Sequence, residues 1–270
     1  MAHHQANGTA LVTGASEGIG AVYARRLAER GYDLVLVARS EAKLNALAAE
    51  IVAATGRAVE VLVADLADKA DLRTVEARLK NDAAITLLVN NAGIAVFGPY
   101  VDADADAIER MIDLNITALT RLSLAAIPGL VARAGSIINI ASVVPLLPER
   151  FDNIYSSTKA YVLNFTQTLQ TQLAKDGVHV QAVLPGATAT AIWEKVGQPV
   201  SQLPPEMVMA TDEMVDAALA GFDQGELVTV PSLADPALWA AHDAARLALG
   251  PHLSLKHAAA RFKTAETVAA

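Results

Sequence analysis

With 270 residues, 53% apolar and 19% charged, the chain is long enough to bury a sizeable core and too apolar for disorder, so one large domain is the default. A net charge of -8 without any Lys/Arg block argues against a nucleic-acid partner and makes small molecules the expected ligands. The absence of cysteine excludes disulfides and thiolate zinc sites and says nothing about compartment.

The beginning, MAHHQANGTALVTGA, lacks a basic stretch followed by a long apolar one, and no later segment reads as a charge-free membrane span. A cytoplasmic protein with no membrane contact is therefore expected. Residues 1–8 read as a flexible leader; His3 and His4 are either part of it or a metal-binding pair, and no HExxH spacing occurs.

From residue 9, short apolar runs rich in β-branched residues alternate with helix-length periodic segments. Strands are predicted over 9–14, 33–38, 59–64, 85–90, 136–142, 178–185 and 227–232, and helices near 18–30, 41–54, 68–81, 102–128, 155–175 and 211–223. Ser40 is placed to cap the second helix and Gly56 to close it. This order implies an α/β fold, a parallel sheet covered by helices on both faces. Ligands of such sheets lie beyond the carboxyl ends of the strands, so the residues following each run are the candidate site.

The first strand runs into TGASEGIG, where Gly14, Gly18 and Gly20, with Ser16, Glu17 and Ile19 between them, open a helix. Glycines there permit a tight turn and let a pyrophosphate approach backbone N–H groups; any strand-to-helix turn, however, has uses for glycine. At the end of the second strand, where a dinucleotide fold places an acid if it binds NAD, the chain reads Ala38-Arg39-Ser40. Arg39 fits a 2′-phosphate, pointing to NADP(H) as preferred cofactor with NAD(H) as the alternative; the plain reading is an exposed charge. Asp65, followed by Leu66, either accepts from an adenine amino group or caps the next helix. Asn90, Asn91, Ala92 and Gly93 end the fourth strand as a turn or as a cofactor-facing surface.

Ser142 ends the fifth strand, and Tyr155 and Lys159 open the helix that follows. Four residues along a helix is roughly 400° of rotation and about 6 Å of rise, so the two side chains share a face. They form either an ordinary amphipathic pair or an acid whose phenol the ammonium brings down toward a useful range, with Ser142 orienting a substrate oxygen. Asn115, a mediocre helix former in an apolar stretch, reads in isolation as a satisfied core amide.

Together, TGxxxGxG (13–20), NNAG (90–93), Asn115 in DLNITAL, Ser142, YxxxK (155–159) and PGxT (185–188) resemble the short-chain dehydrogenase/reductases, in family order across residues 9 to 190. The resemblance implies a Rossmann-type doubly wound sheet and hydride transfer between NADP(H) and a carbonyl or alcohol. It implies Tyr155 as acid/base, Lys159 holding the nicotinamide ribose and lowering the tyrosine, Ser142 fixing the carbonyl, and Asn115 holding a relay water. Pro185 and Gly186 would turn under the nicotinamide and Thr188 would meet its carboxamide or phosphate; otherwise Pro-Gly is simply a turn. A homodimer or homotetramer is expected, through helices 102–128 and 155–175. The competing reading is a dinucleotide-binding sensor or scaffold without turnover.

Segment 187–210 is predicted to be a lid with Ile192 and Trp193 as apolar walls, facing 143–153 across the substrate, or else an ordinary connection. The catalytic domain is expected over 9–232. Residues 233–270 depart from the family pattern and are expected to form an extension packed on that domain, with a helix over 236–250 and Trp239 in packing.

Overall fold

The computed structural model describes residues 7–150, 153–197 and 199–262; His3, His4, Phe151, Asp152 and the last eight residues lie outside the described part. The chain forms two compact units, Met1–Pro231 and Ser232–Ala270.

Seven strands, β1 (Thr9–Thr13), β2 (Asp33–Ala38), β3 (Val59–Val63), β4 (Ile85–Asn90), β5 (Ser136–Ile140), β6 (His179–Val183) and β7 (Val228–Thr229), build one sheet in the order β3-β2-β1-β4-β5-β6-β7. Every pairing is parallel. The order reverses between β1 and β4, which opens a crevice at their carboxyl ends. Five strands are shorter than predicted, β1 and β3 by one residue, β5 by two, β6 by three and β7 by four. β5 stops at Ile140 because β6 pairs with it only as far as Val183, leaving Ser142 beyond the sheet. β7 keeps two residues, paired to Ala182 and Val183, and Pro231 has no N–H with which to extend the ladder.

One face carries α1 (Gly18–Glu29), α2 (Glu41–Thr55) and α8 (Thr211–Asp223), whose Tyr23, Leu27, Leu44, Ile51, Met214 and Leu219 share a core with β1 and β2. Gly56 ends α2 at φ 69, and Ser40 occupies the cap position without a side-chain cap bond. The other face carries α3 (Lys69–Asn81) and the predicted 102–128 helix, which divides into α4 (Ala105–Ile112), a π-helical turn (Asp113–Ala118) and α5 (Leu119–Val131). α5 passes Pro128, which sits close enough to its end that few bonds are lost. The run Ala105–Val131 is long and apolar enough to cross a membrane. In this fold, however, Leu122, Ala126 and Leu130 pack with α3 residues Leu72, Val75 and Leu79 against the sheet.

α6 (Ile154–Leu173) follows on the same face, with the Asn153 side chain accepting from Ser156 N at 2.9 Å. Segment 187–210 is more structured than its sequence suggested. It carries a short helix, α7 (Ile192–Lys195), and two 3-10 turns. Its base is closed where Ala189 N donates to Met209 O and Met209 N to Ala187 O. In the second unit, α9 (Pro236–Ala248) is capped by Asp235, whose side chain accepts from Ala237 N.

Candidate active site

The glycine turn after β1 is held from below. Thr13 Oγ1 accepts from the backbone N–H groups of both Asn91 and Ala92 at 3.0 Å, and Asn91 Nδ2 donates to Thr13 O at 2.9 Å and to Gly14 O at 3.2 Å. The Asn91 side chain therefore braces the turn rather than facing the crevice. Gly14 has φ 65, and a Cβ there would lie 2.8 Å from Asn91 Nδ2 and 2.9 Å from Ala92 Cα. At Gly20 a Cβ would run into the Gly14 carbonyl. α1 starts without a side-chain cap, so the N–H groups of its first turn are left for a ligand. A cleared cradle against an uncapped helix start fits a pyrophosphate. Gly20→Ala is expected to lose cofactor binding and about 1–3 kcal/mol of stability by overpacking against backbone, read by cofactor titration and denaturant melts.

Several expected cofactor residues also make contacts within the protein. Ser16 is half-buried in the turn, and Ile19 packs against the α1 core. The Glu17 carboxylate forms ion pairs with Lys195 of α7 and Lys43 of α2. Those two hydrogen bonds hold it below its ordinary range against the opposing effect of burial. Leu66 is a core side chain, 4% exposed, so only its backbone can face a ligand. The Asp65 carboxylate accepts from Ala67 N at 3.1 Å and from Arg110 of α4 at 2.6 Å. Burial raises this group, but the Arg110 bond, the Ala67 N–H and the charges of Arg110 and Arg39 outweigh it. Asp65 does not N-cap α3, a place taken by Asp68, and its carboxylate, bonded once on each oxygen, keeps lone pairs for a further donor. Arg39 is exposed at the tip of β2.

The expected proton-transfer residues lie beyond the carboxyl ends of β4, β5 and β6. Lys159 is 5% exposed and donates to Ile140 O at 2.8 Å, with its Nζ 5.7 Å from the centre of the Tyr155 ring. Tyr155 is half-buried, and Phe97 meets its ring edge-on at 5.9 Å. Burial pushes the Tyr155 phenol up and lowers Lys159 to about 8. This is opposite to the expected lowering of the tyrosine: desolvation acts on both groups, and the ammonium is turned to a carbonyl rather than to the phenol oxygen. Ser142 Oγ donates to Pro185 O at 3.3 Å, and Val143 N donates to the same carbonyl at 3.0 Å, which fixes the Pro185-Gly186 turn against the end of β5. Thr188 is buried and donates to Gly186 O, while Trp193 Nε1 donates to Thr188 O at 2.9 Å.

Asn115 sits in the π-helical turn, 1% exposed, with its amide fully engaged. Its Oδ1 accepts from Ile94 N, and its Nδ2 donates to Ile94 O and to Thr158 Oγ1. The Asn115 side chain ties the loop after β4 to α6. Gly93 lies close beside it, where a Cβ would sit 3.1 Å from Asn115 Oδ1, a tight contact, and 3.6 Å from Lys159 Nζ. Phe97, Arg110, Thr13 and Thr158 went unread as site residues; of these only Thr13 and Thr158 carried a signal, by lying inside motifs.

Comparison with known proteins agrees with this geometry. A family model described as short chain dehydrogenase matches residues 8–201. A very-long-chain 3-oxoacyl-CoA reductase from Macaca fascicularis is 33% identical over 82% of this chain and 72% of its own. One from Anas platyrhynchos is 36% identical over 70% of this chain, which spans 62% of that relative's length. Among solved structures, a short-chain dehydrogenase from Sphingobium yanoikuyae in complex with NADPH superposes with a TM-score of 0.92 at 52% identity, covering 95% of this chain and all of that one. The bulky-bulky ketone specific alcohol dehydrogenase from Comamonas testosteroni gives 0.89 at 43% identity, covering 96% of this chain and all of its own. With the glycine cradle, the Tyr155–Lys159 pair and Ser142 gathered at one sheet edge, this chain belongs to the short-chain dehydrogenase family of oxidoreductases.

Proposed function

We propose that this protein catalyses NADP(H)-dependent interconversion of an apolar ketone or aldehyde and its alcohol, with Tyr155 as acid in reduction and base in oxidation. The observation that carries this reading is the buried Lys159, held by Ile140 O beneath the Tyr155 ring beside a cradle fit for a dinucleotide. NADPH, when bound, supplies the hydride that adds to the carbonyl carbon. Ser142 Oγ, turning its one proton from Pro185 O to the carbonyl oxygen, orients that oxygen. The Tyr155 hydroxyl gives its proton to that same oxygen, because an alkoxide is a far stronger base than a phenolate. Lys159 then stabilises the phenolate until a solvent proton restores it. Burial keeps the phenol protonated at neutral pH and so ready to donate.

The cofactor choice is supported by exposed Arg39 where an acid would favour NAD, and by the NADPH complex of the Sphingobium yanoikuyae protein. Arg39→Ala is expected to weaken NADPH binding by about tenfold or more while leaving NADH within about twofold, by fluorescence titration. Equal losses would remove the 2′-phosphate role. An apolar substrate is supported by Phe97, Leu147, Trp193 and Met207, on loops leaving the carboxyl ends of β4, β5 and β6, and by the ketone named for the Comamonas testosteroni enzyme. Exposed Ile112 and Leu124 on the α4–α5 run support a homo-oligomer, and the acidic chain fits a cytoplasmic location. The direct test is deuteride transfer from labelled NADPH across a panel of bulky ketones. Tight cofactor binding with no label in any alcohol would instead favour a binding protein without turnover.

A further inference from the structure

Thr158, between the tyrosine and the lysine, is buried at 1% exposure and bonded in two directions. Its Oγ1 donates to Tyr155 O at 2.8 Å and accepts from Asn115 Nδ2 at 3.0 Å. Asn115 in turn clamps the backbone of Ile94 through both its N–H and its carbonyl, at 3.0 and 2.9 Å. One hydroxyl thus links the first turn of α6 to the π-helical turn and, through Asn115, to the loop after β4. The groups facing Lys159 are Tyr155 on its own helix, Gly93 from the β4 loop, Asn115 from the π-helical turn and the Ile140 carbonyl from β5; apart from the phenol none of them titrates.

We infer that Thr158 is a positioning residue for the reaction, setting the rotation of Tyr155 and Lys159 relative to the β4 loop through Asn115. The inference rests on the catalytic reading of Tyr155 and Lys159 above. A hydroxyl is needed because the position must both donate and accept, which alanine and valine do not do and serine does. Without it, an Asn115 N–H is left buried with no acceptor, and the fold relieves that by turning the amide, releasing its grip on Ile94. Lys159 then gains solvent, so its proton is held to higher pH.

The test compares the purified full-length Thr158→Val, Thr158→Ser and Tyr155→Phe variants with the parent. Thr158→Val is expected to lower kcat by about tenfold or more and to move the alkaline limb of kcat/KM to higher pH, while Thr158→Ser stays within about threefold and keeps the parent profile. If Thr158→Val is recovered only as aggregate, Thr158→Ala, which adds no bulk, is read in its place. A parent pH profile in the hydroxyl-free variant, or a kcat within about threefold of Thr158→Ser, overturns the inference even if the melting temperature falls. Should Tyr155→Phe turn over like the parent, the catalytic reading fails instead, so the two failures are told apart.

Discussion

Tyr155→Phe is expected to lower kcat for ketone reduction by about 10²–10⁴-fold with NADPH affinity changed by less than about threefold. The substitution removes one oxygen from a half-buried ring and keeps the edge-on contact with Phe97, so the site keeps its shape and loses its acid. Because burial raises the phenol, no compensating phenolate is lost at neutral pH, and the defect should be in the chemical step alone. Single-turnover rates with labelled NADPH, set beside a cofactor titration, separate the two. Undiminished single-turnover rates would remove Tyr155 from the mechanism.

Lys159→Met is expected to abolish activity and at the same time stabilise the fold at neutral pH. The lysine is 5% exposed and its value is lowered by burial from 10.5 to about 8. An unfolded chain therefore binds a proton more tightly at this residue than the native one does. The resulting penalty is fully present below pH 8 and disappears as pH rises from there toward the unfolded value. On that scale the penalty is about 3 kcal/mol, from which about 1 kcal/mol is subtracted for the lost bond to Ile140 O. Denaturant melts should show the variant more stable than the parent below pH 8 and the gap closing by about pH 10. The same titration places the alkaline limb of kcat/KM for reduction near 8, since the ammonium that stabilises the phenolate is lost as pH rises through it. A methionine variant less stable than the parent at pH 6 would contradict the burial argument.

These two residues illustrate how much was legible in advance. Tyr155 and Lys159 were placed on one helical face by their spacing alone, and the structure has both on α6. What spacing did not reveal was the sign of the tyrosine shift. That depends on how deeply neighbouring elements bury the pair and on the Ile140 carbonyl, which the lysine finds 19 residues earlier in the chain. The strand and helix pattern was readable because each element announces itself within a few residues. The short extent of β7 and the π-helical turn were not, since one is limited by its partner strand and the other by its neighbours. Glu17, Asp65 and Asn91 lay in the right motifs, and their side chains also bond protein partners that the motifs did not foretell. Asn91 reaches Thr13 across 78 residues and Glu17 reaches Lys195 across 178, distances at which local pattern carries no information.

By itself the sequence determined the alternating α/β order, the glycine cradle at the first strand and the chemical identity of the groups at the carboxyl edge, because periodicity and glycine stereochemistry are local properties. Only the tertiary structure decided which of those groups face outward for chemistry and which are consumed in holding the site together. That choice is made by hydrogen bonds between elements distant in sequence, such as the one from Asn115 to Thr158 that binds two helices and a loop around the lysine.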